Sequence, residues 1–203
     1  MTVSGSSSLS KSASPTGIFV RLVLTSSVLL PLAVLYNEAL IEAWLPAYRL
    51  IFAGVANDFQ LLKLVLDYEG ADRVLRATVT WKHIVVLGEH VISPDPRGIA
   101  NASTLIAHAL QAPLLALIAI FSWPANRLHE FVWRTICLTP MLGLLILADM
   151  PCVLAAELWQ IAIDGLAPGT LSPLIVWKDF LQGGGRYALG LAAAMAAVHW
   201  ARR

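Results

Sequence analysis

Long apolar segments flank a single stretch of mixed polarity in this chain. Apolar residues dominate positions 18–36, 104–123, about 131–155 and 187–201. A helix that crosses a bilayer needs about 20 mainly apolar residues, and the four segments lie near that length. The pattern therefore predicts an α-helical membrane protein with about four transmembrane helices.

The stretch of mixed polarity, residues 57–103, lies between the first and second apolar segments. In it Leu75, Val79 and Trp81 alternate with polar residues, which is typical of a half-buried strand. Turn-forming residues separate three such runs, and Gly88 is a candidate bulge position. The predicted strands are residues 59–68, 73–81 and 84–92. We expect a small external β-rich insert of three strands.

The N-terminal part divides into a tail and two helices. Residues 1–17 are Ser-rich, which predicts disorder. Residues 18–56 are expected to form the first transmembrane helix and then an interfacial helix over 37–56, since charges and aromatic rings enter the apolar sequence there. Three of these charges share one helical face, at offsets of four and seven: Glu38, Glu42 and Arg49. That face is either solvated or binds a partner.

Residues 104–203 are expected to form a three-span helical bundle. Asn101 and Ser103 are typical helix-start residues before it. Ser172 followed by Pro173 is a second helix-start signal, which predicts a short interfacial helix near 172–182.

Basic residues predict the orientation, because they concentrate on the cytoplasmic side of membrane proteins. With four spans, six of them share one side: Lys11, Arg21, Arg127, Arg134, Arg202 and Arg203. We therefore expect a multi-pass protein of the bacterial inner membrane. Its N and C termini would be cytoplasmic and its insert periplasmic.

Composition argues against several kinds of site. The net charge of +1 offers no general attraction for nucleic acid. No Gly-rich phosphate loop follows a predicted strand, so a nucleotide site has no support. Cys137 and Cys152 lie 15 residues apart in one apolar segment, about 22 Å along a helix, beyond disulfide reach. No Cys/His spacing suits a metal, and we expect neither a metal nor a cofactor.

A few reactive residues fall near the external ends of the spans. Cys152, His108 and Arg186 could supply a nucleophile, a base and an oxyanion stabiliser. Alternatively, Cys152 is a small hydrophobe, His108 a hydrogen-bonding residue between helices and Arg186 a headgroup anchor. Asp149 is costly inside a membrane and calls for a partner, for which His108 and Arg186 are the candidates.

The layout resembles a known group of membrane proteins. The residues that carry the likeness are Leu30-Pro31, Asp67 to Gly70, Gln111 to Leu115 and Phe180 to Arg186. Together with the single span before a strand-rich insert, they resemble the small inner-membrane proteins associated with exosortases. Exosortases are multi-span cysteine transpeptidases with Cys, Arg and His in that order. Because the order here is His108, Cys152, Arg186, the resemblance implies an accessory protein rather than the enzyme.

These observations favour a non-catalytic accessory or scaffold subunit of an envelope protein sorting, export or assembly system. Its partners would be the lipid bilayer and one or more membrane proteins, bound through the insert. The expected partner-binding residues are Glu38, Glu42, Arg49, Arg76 and Trp81. The alternatives are a membrane-embedded cysteine peptidase or transpeptidase that uses Cys152, and a small transporter or ion-pathway subunit built around Asp149 and His108.

Overall fold

The computed structural model describes residues 15–95, 97–125 and 128–201. The helices of this part are α1 Pro15–Val55, α2 Ile106–Ser122, α3 Leu128–Leu166, α4 Pro173–Phe180 and α5 Arg186–Trp200. Its strands are β1 Phe59–Glu69, β2 Asp72–Trp81, β3 Val85–Leu87, β4 His90–Ile92 and β5 Ala100–Leu105. The described part is thus mostly helical with a small three-stranded sheet, which confirms the predicted mixture of helices and a small sheet but not the predicted third strand.

Among the described helices, α1 and α3 are long and apolar enough to cross a membrane. They contain 41 and 39 residues. None of the most apolar 18-residue stretch of α1 is buried within the chain, and only 33% of that of α3. Apolar surface of this extent needs a non-aqueous neighbour. The two helices therefore suggest membrane association.

Residues 37–56 do not form a separate interfacial helix, which corrects the prediction. Instead α1 continues without a break to Val55. Ile41, Tyr48 and Phe52, spaced by seven and four, are almost completely buried and belong to the main core. The amphipathic pattern of this segment therefore serves to support the sheet, which local sequence alone does not distinguish from contact with a membrane surface.

The sheet has the order β1-β2-β5, and both pairings are antiparallel. Strands β1 and β2 match their predicted positions and meet at a turn where Gly70 has a φ of 64°. The third strand is β5, in which Ala102 pairs with Ala77 of β2. Asn101 and Ser103 are therefore strand residues, not the start of α2, because pairing with the distant β2 outweighs their local preference for a helix cap.

Residues 84–92 form a separate hairpin and not one strand, which is a second correction in the insert. Strand β3 pairs with β4 in antiparallel fashion. Gly88 lies in the turn between them with a φ of 59° and is not a bulge. A positive φ suits glycine because it has no Cβ.

A continuous core joins the sheet to the helices. Phe52 of α1, Leu64 of β1, Leu75 of β2, Ile106 of α2 and Leu154 of α3 are all buried in it. Three strands alone are marginally stable, so the sheet depends on this contact. The insert is therefore part of the same folded unit as the C-terminal halves of α1 and α3.

The C-terminal helices pack closely against the rest. Helix α4 corresponds to the helix predicted near 172–182 and leads through a kinked turn, Leu181–Gly185, into α5. Gly184 in that turn has a φ of 104°. A Cβ on Gly190 of α5 would lie 2.5 Å from the carbonyl oxygen of Ala112 in α2. The backbones of α5 and α2 are therefore in close contact at Gly190.

Several predictions concern residues that are not described. Of the predicted tail 1–17, residues 1–14 lie outside the described part, and 15–17 begin α1. Among the cations used for orientation, Lys11, Arg127, Arg202 and Arg203 also lie outside it.

Candidate functional site

A buried ion pair joins α3 to α5. Arg186 donates from Nε to Oδ2 of Asp149 at 2.6 Å and from Nη2 to Oδ1 at 2.8 Å. The side chains are only 3% and 4% exposed. Arg186 is the first residue of α5, placed opposite Asp149 by the Gly-rich turn before it. Of the two candidate partners of Asp149 named from the sequence, Arg186 is therefore the one that is hydrogen-bonded to it.

Three further polar side chains surround this pair. His108 of α2 interacts electrostatically with both Asp149 and Arg186. Cys152, one turn further along α3, and Tyr48 of α1 interact electrostatically with Asp149. The residues of the cysteine-enzyme hypothesis are therefore brought to one region of the molecule.

The arrangement lacks the contact that would activate a thiol. Within residues 15–95, 97–125 and 128–201, no hydrogen bond joins Cys152 to His108. Activation of a cysteine by histidine requires such a contact. Asp149 accepts two charge-assisted bonds from Arg186.

A second buried cation was not predicted. Lys178 of α4 is 5% exposed, and its Nζ lies 3.3 Å from Oε1 of Glu157 and also donates to Gln160, both on α3. In the same region Trp177 donates from Nε1 to the carbonyl oxygen of Ala148 at 3.1 Å. These contacts fix α4 against α3. Since the partners are at least 18 residues apart in sequence, local patterns carry no signal for them.

A third buried cation closes the opposite end of the bundle. Arg134 of α3, one of the cations used to predict the orientation, is fully buried. It pairs with Glu130, one turn earlier, and donates to the carbonyl oxygen of Pro124 at 3.2 Å. The spacing of four residues between Glu130 and Arg134 is a signal that could have identified this pair.

Two of the predicted partner-binding residues on α1 face the sheet. Glu38 forms an ion pair with Arg73 of β2 at 2.7 Å. Arg49 donates to the carbonyl oxygen of Leu64 of β1 at 3.2 Å. Glu42 between them is exposed. The charged stripe thus attaches α1 to the sheet and is only in part a solvated face.

The two predicted partner-binding residues of the insert also make contacts within the chain. Arg76 pairs with Asp67 of the neighbouring strand at 3.2 Å. Trp81 packs against Phe59, with ring centroids 4.5 Å apart, and against Trp159 of α3, at 6.1 Å. Both side chains therefore stabilise the insert, whatever else they contact.

The hairpin of β3 and β4 is apolar on both faces. On its inner face Leu87 packs against Ala162 and Ala167, at the end of α3. On its outer face the cross-strand partners Val86 and Val91 are each 66% exposed. Ile84, just before β3, is also largely exposed. We call Ile84, Val86 and Val91 the hairpin patch.

Within the described residues, no group of three or more His, Cys, Asp or Glu side chains could hold a metal ion. Comparison with protein-family models, with curated proteins and with solved structures finds no match to this chain.

Proposed function

We propose that this chain is a non-catalytic inner-membrane subunit of an envelope system for protein sorting, export or assembly, similar in role to the small proteins associated with exosortases. In this proposal α1, α2, α3 and α5 span the membrane. Both termini are cytoplasmic, and the sheet and hairpin lie in the periplasm, where they bind a membrane-protein partner.

The directions of the helices support this topology. Only residues 123–127 separate α2 from α3, so the end of α2 meets the start of α3. Trp123 and His199 line one cavity, so α5 ends at that same end. Tyr48 and Phe52, near the C-terminal end of α1, pack in one core with Leu154 of α3, so α1 starts at the end where α5 stops. Both ends of the described chain therefore lie opposite the insert.

The hairpin patch is the observation that carries the proposed partner binding. A hairpin needs one apolar face for its own packing, and Leu87 and its neighbours supply that face here. The second apolar face leaves Val86 and Val91 exposed side by side. Contiguous exposed apolar side chains typically mark an interaction surface. The patch lies beside the outer end of α3, away from the proposed spans.

The paired state of the buried charges supports a non-catalytic role. Asp149 pairs with Arg186, Lys178 with Glu157 and Arg134 with Glu130. Catalytic acids and bases need a proton or a substrate atom within hydrogen-bond reach. Each of these charges is instead held by another side chain of this chain, as expected of contacts that fix helices.

Affinity purification of the tagged chain from gently solubilised native membranes tests the proposal. We expect one stoichiometric membrane-protein partner, identified by mass spectrometry. The double variant Val86→Thr/Val91→Thr keeps β-branched side chains but makes the patch polar. We expect the double variant to lose about 1.4 kcal/mol of binding free energy. This loss lowers recovery of the partner about tenfold when the partner concentration is limiting.

The control is Val176→Thr, the same exchange at an exposed position of α4. It should leave recovery of the partner unchanged. Purification of the wild-type chain alone, without any partner, would contradict the proposal. Equal recovery with the double variant would show that the hairpin patch is not the binding surface.

A cysteine peptidase or transpeptidase is the second candidate, because His108, Cys152 and Arg186 all lie around Asp149. Cys152→Ala separates the two functions. If the chain is the enzyme, this variant should abolish processing of envelope proteins while recovery of the partner is retained. If the chain is a non-catalytic subunit, processing should be unchanged.

A further inference from the structure

We propose that a groove between α3 and α5 holds one acyl chain of a phospholipid, whose phosphate accepts hydrogen bonds from Arg186. The inference rests on the membrane location within the proposed function, but not on the partner. It assigns a ligand to the region beside the Asp149–Arg186 pair.

The groove is apolar over most of its surface. It has a volume of about 390 Å³. Its walls are formed mainly by aliphatic side chains of α3 and α5, among them Met141, Leu144, Leu145, Leu189 and Ala196. Alanines along α5 leave the space open because they carry only a methyl group. Such a surface matches hydrocarbon and offers no partners to water.

One end of the groove is polar. Asp149 and Arg186 both line it there. A guanidinium has five N–H donors, and Asp149 accepts from Nε and Nη2 only. Nη1 therefore has no hydrogen-bond partner among the described residues. Phosphate oxygens are acceptors that suit a guanidinium N–H group.

The length of the groove matches one leaflet of a bilayer. Met141 and Asp149 are eight residues apart on α3, which is about 12 Å of helix rise. Arg186 and Ala196 are ten residues apart on α5, about 15 Å. Half of a hydrocarbon core of about 30 Å is also about 15 Å. A chain with its headgroup at Arg186 would thus have apolar side chains beside it along most of its length.

An aromatic side chain marks the polar end of the groove. Trp177 lies there, and its indole Nε1 donates to the carbonyl oxygen of Ala148. Such rings are common at the headgroup level of membrane proteins, which favours a lipid as the occupant of the groove.

Native mass spectrometry of the whole purified chain tests this inference. The chain is released from micelles that contain either dioleoyl phosphatidylglycerol or dioleoylglycerol, which has the same chains but no phosphate. We expect one bound phosphatidylglycerol and at least about tenfold less dioleoylglycerol, because dioleoylglycerol lacks the phosphate that accepts from Arg186; tenfold corresponds to about 1.4 kcal/mol of binding free energy. Equal retention of the two lipids would refute the role of Arg186.

Variants locate the site. Ala196→Phe fills the groove and should lower phosphatidylglycerol retention about tenfold, whereas Ala188→Phe, on an exposed position of α5 outside the groove, should not. Asp149→Asn/Arg186→Gln replaces the ion pair by two amides and should reduce retention without leaving a lone buried charge. Both effects are scored on protein that elutes as a single species.

The outcomes are distinct from those of the partner experiment. Unchanged lipid retention in Ala196→Phe refutes the inference even if the double variant does not fold. If Ala196→Phe abolished partner recovery but not lipid retention, the groove would be a docking site for a helix and the lipid assignment would be wrong. Lipid retention by the isolated chain does not depend on whether a partner exists.

Discussion

The Asp149–Arg186 pair allows the energetic account of this fold to be tested. Its two side chains are 4% and 3% exposed, and two short bonds join them. Removal of one member of a buried pair leaves a charge without compensation and costs about 3–5 kcal/mol. Replacement of both by apolar residues of similar size is often neutral or stabilising, because neither charge then has to be desolvated.

We therefore expect Asp149→Leu alone to lower the free energy of unfolding by about 3–5 kcal/mol. The double variant Asp149→Leu/Arg186→Met should recover most of that loss. The two single variants and the double variant form a thermodynamic cycle. The assay is chemical unfolding in detergent micelles, followed by tryptophan fluorescence.

The control is the exposed pair of Glu38 and Arg73, whose side chains are 41% and 35% exposed. Because exposed pairs contribute about 0–1 kcal/mol, Glu38→Ala should have little effect. A loss of less than about 1 kcal/mol for Asp149→Leu would refute the reasoning, given that a buried lone charge costs several times more. So would a double variant whose loss equals the sum of both single losses.

Two further predictions concern single side chains. Gly190→Ala places a Cβ 2.5 Å from the carbonyl oxygen of Ala112, so it should lower the unfolding free energy by about 1–3 kcal/mol. The control in the same unfolding assay is Gly54→Ala, where a Cβ would meet nothing within 4 Å. Equal effects of the two variants would contradict the close packing of α2 and α5. The buried Tyr48 hydroxyl has no hydrogen-bond partner in the described part of the chain, so Tyr48→Phe should raise stability by about 1 kcal/mol, while a loss of that size would mean that the hydroxyl is bonded.

Local sequence patterns predicted those elements whose formation depends on local chemistry. Strands β1 and β2 follow from two-residue alternation, and the apolar segments correspond to helices. Strand β5 was missed because Asn101 favours a helix cap locally, whereas its pairing with Thr78 depends on a strand 23 residues earlier. The segment 37–56 was misassigned because a face covered by a sheet and a face covered by lipid headgroups have the same periodicity.

The residues of the candidate site also divide into those that local sequence identifies and those that depend on contacts between distant segments. Asp149 could be identified from sequence because a carboxylate in an apolar helix requires a partner, and Arg186 was one of two candidates. Lys178 and its partner Glu157 could not be identified, because they meet only once α4 folds back on α3. The hairpin patch was hidden because residues 84–92 resemble a single strand until the positive φ of Gly88 is known.

The most direct test of the proposed role is photocrosslinking in living cells. A photoreactive phenylalanine analogue is placed at Val91 in the hairpin patch and, as a control, at Val176 on α4, both of which are exposed. The proposal predicts one dominant crosslinked membrane protein from position 91 and none from position 176. No crosslink from position 91, or the same products from both positions, would contradict a partner bound through the insert.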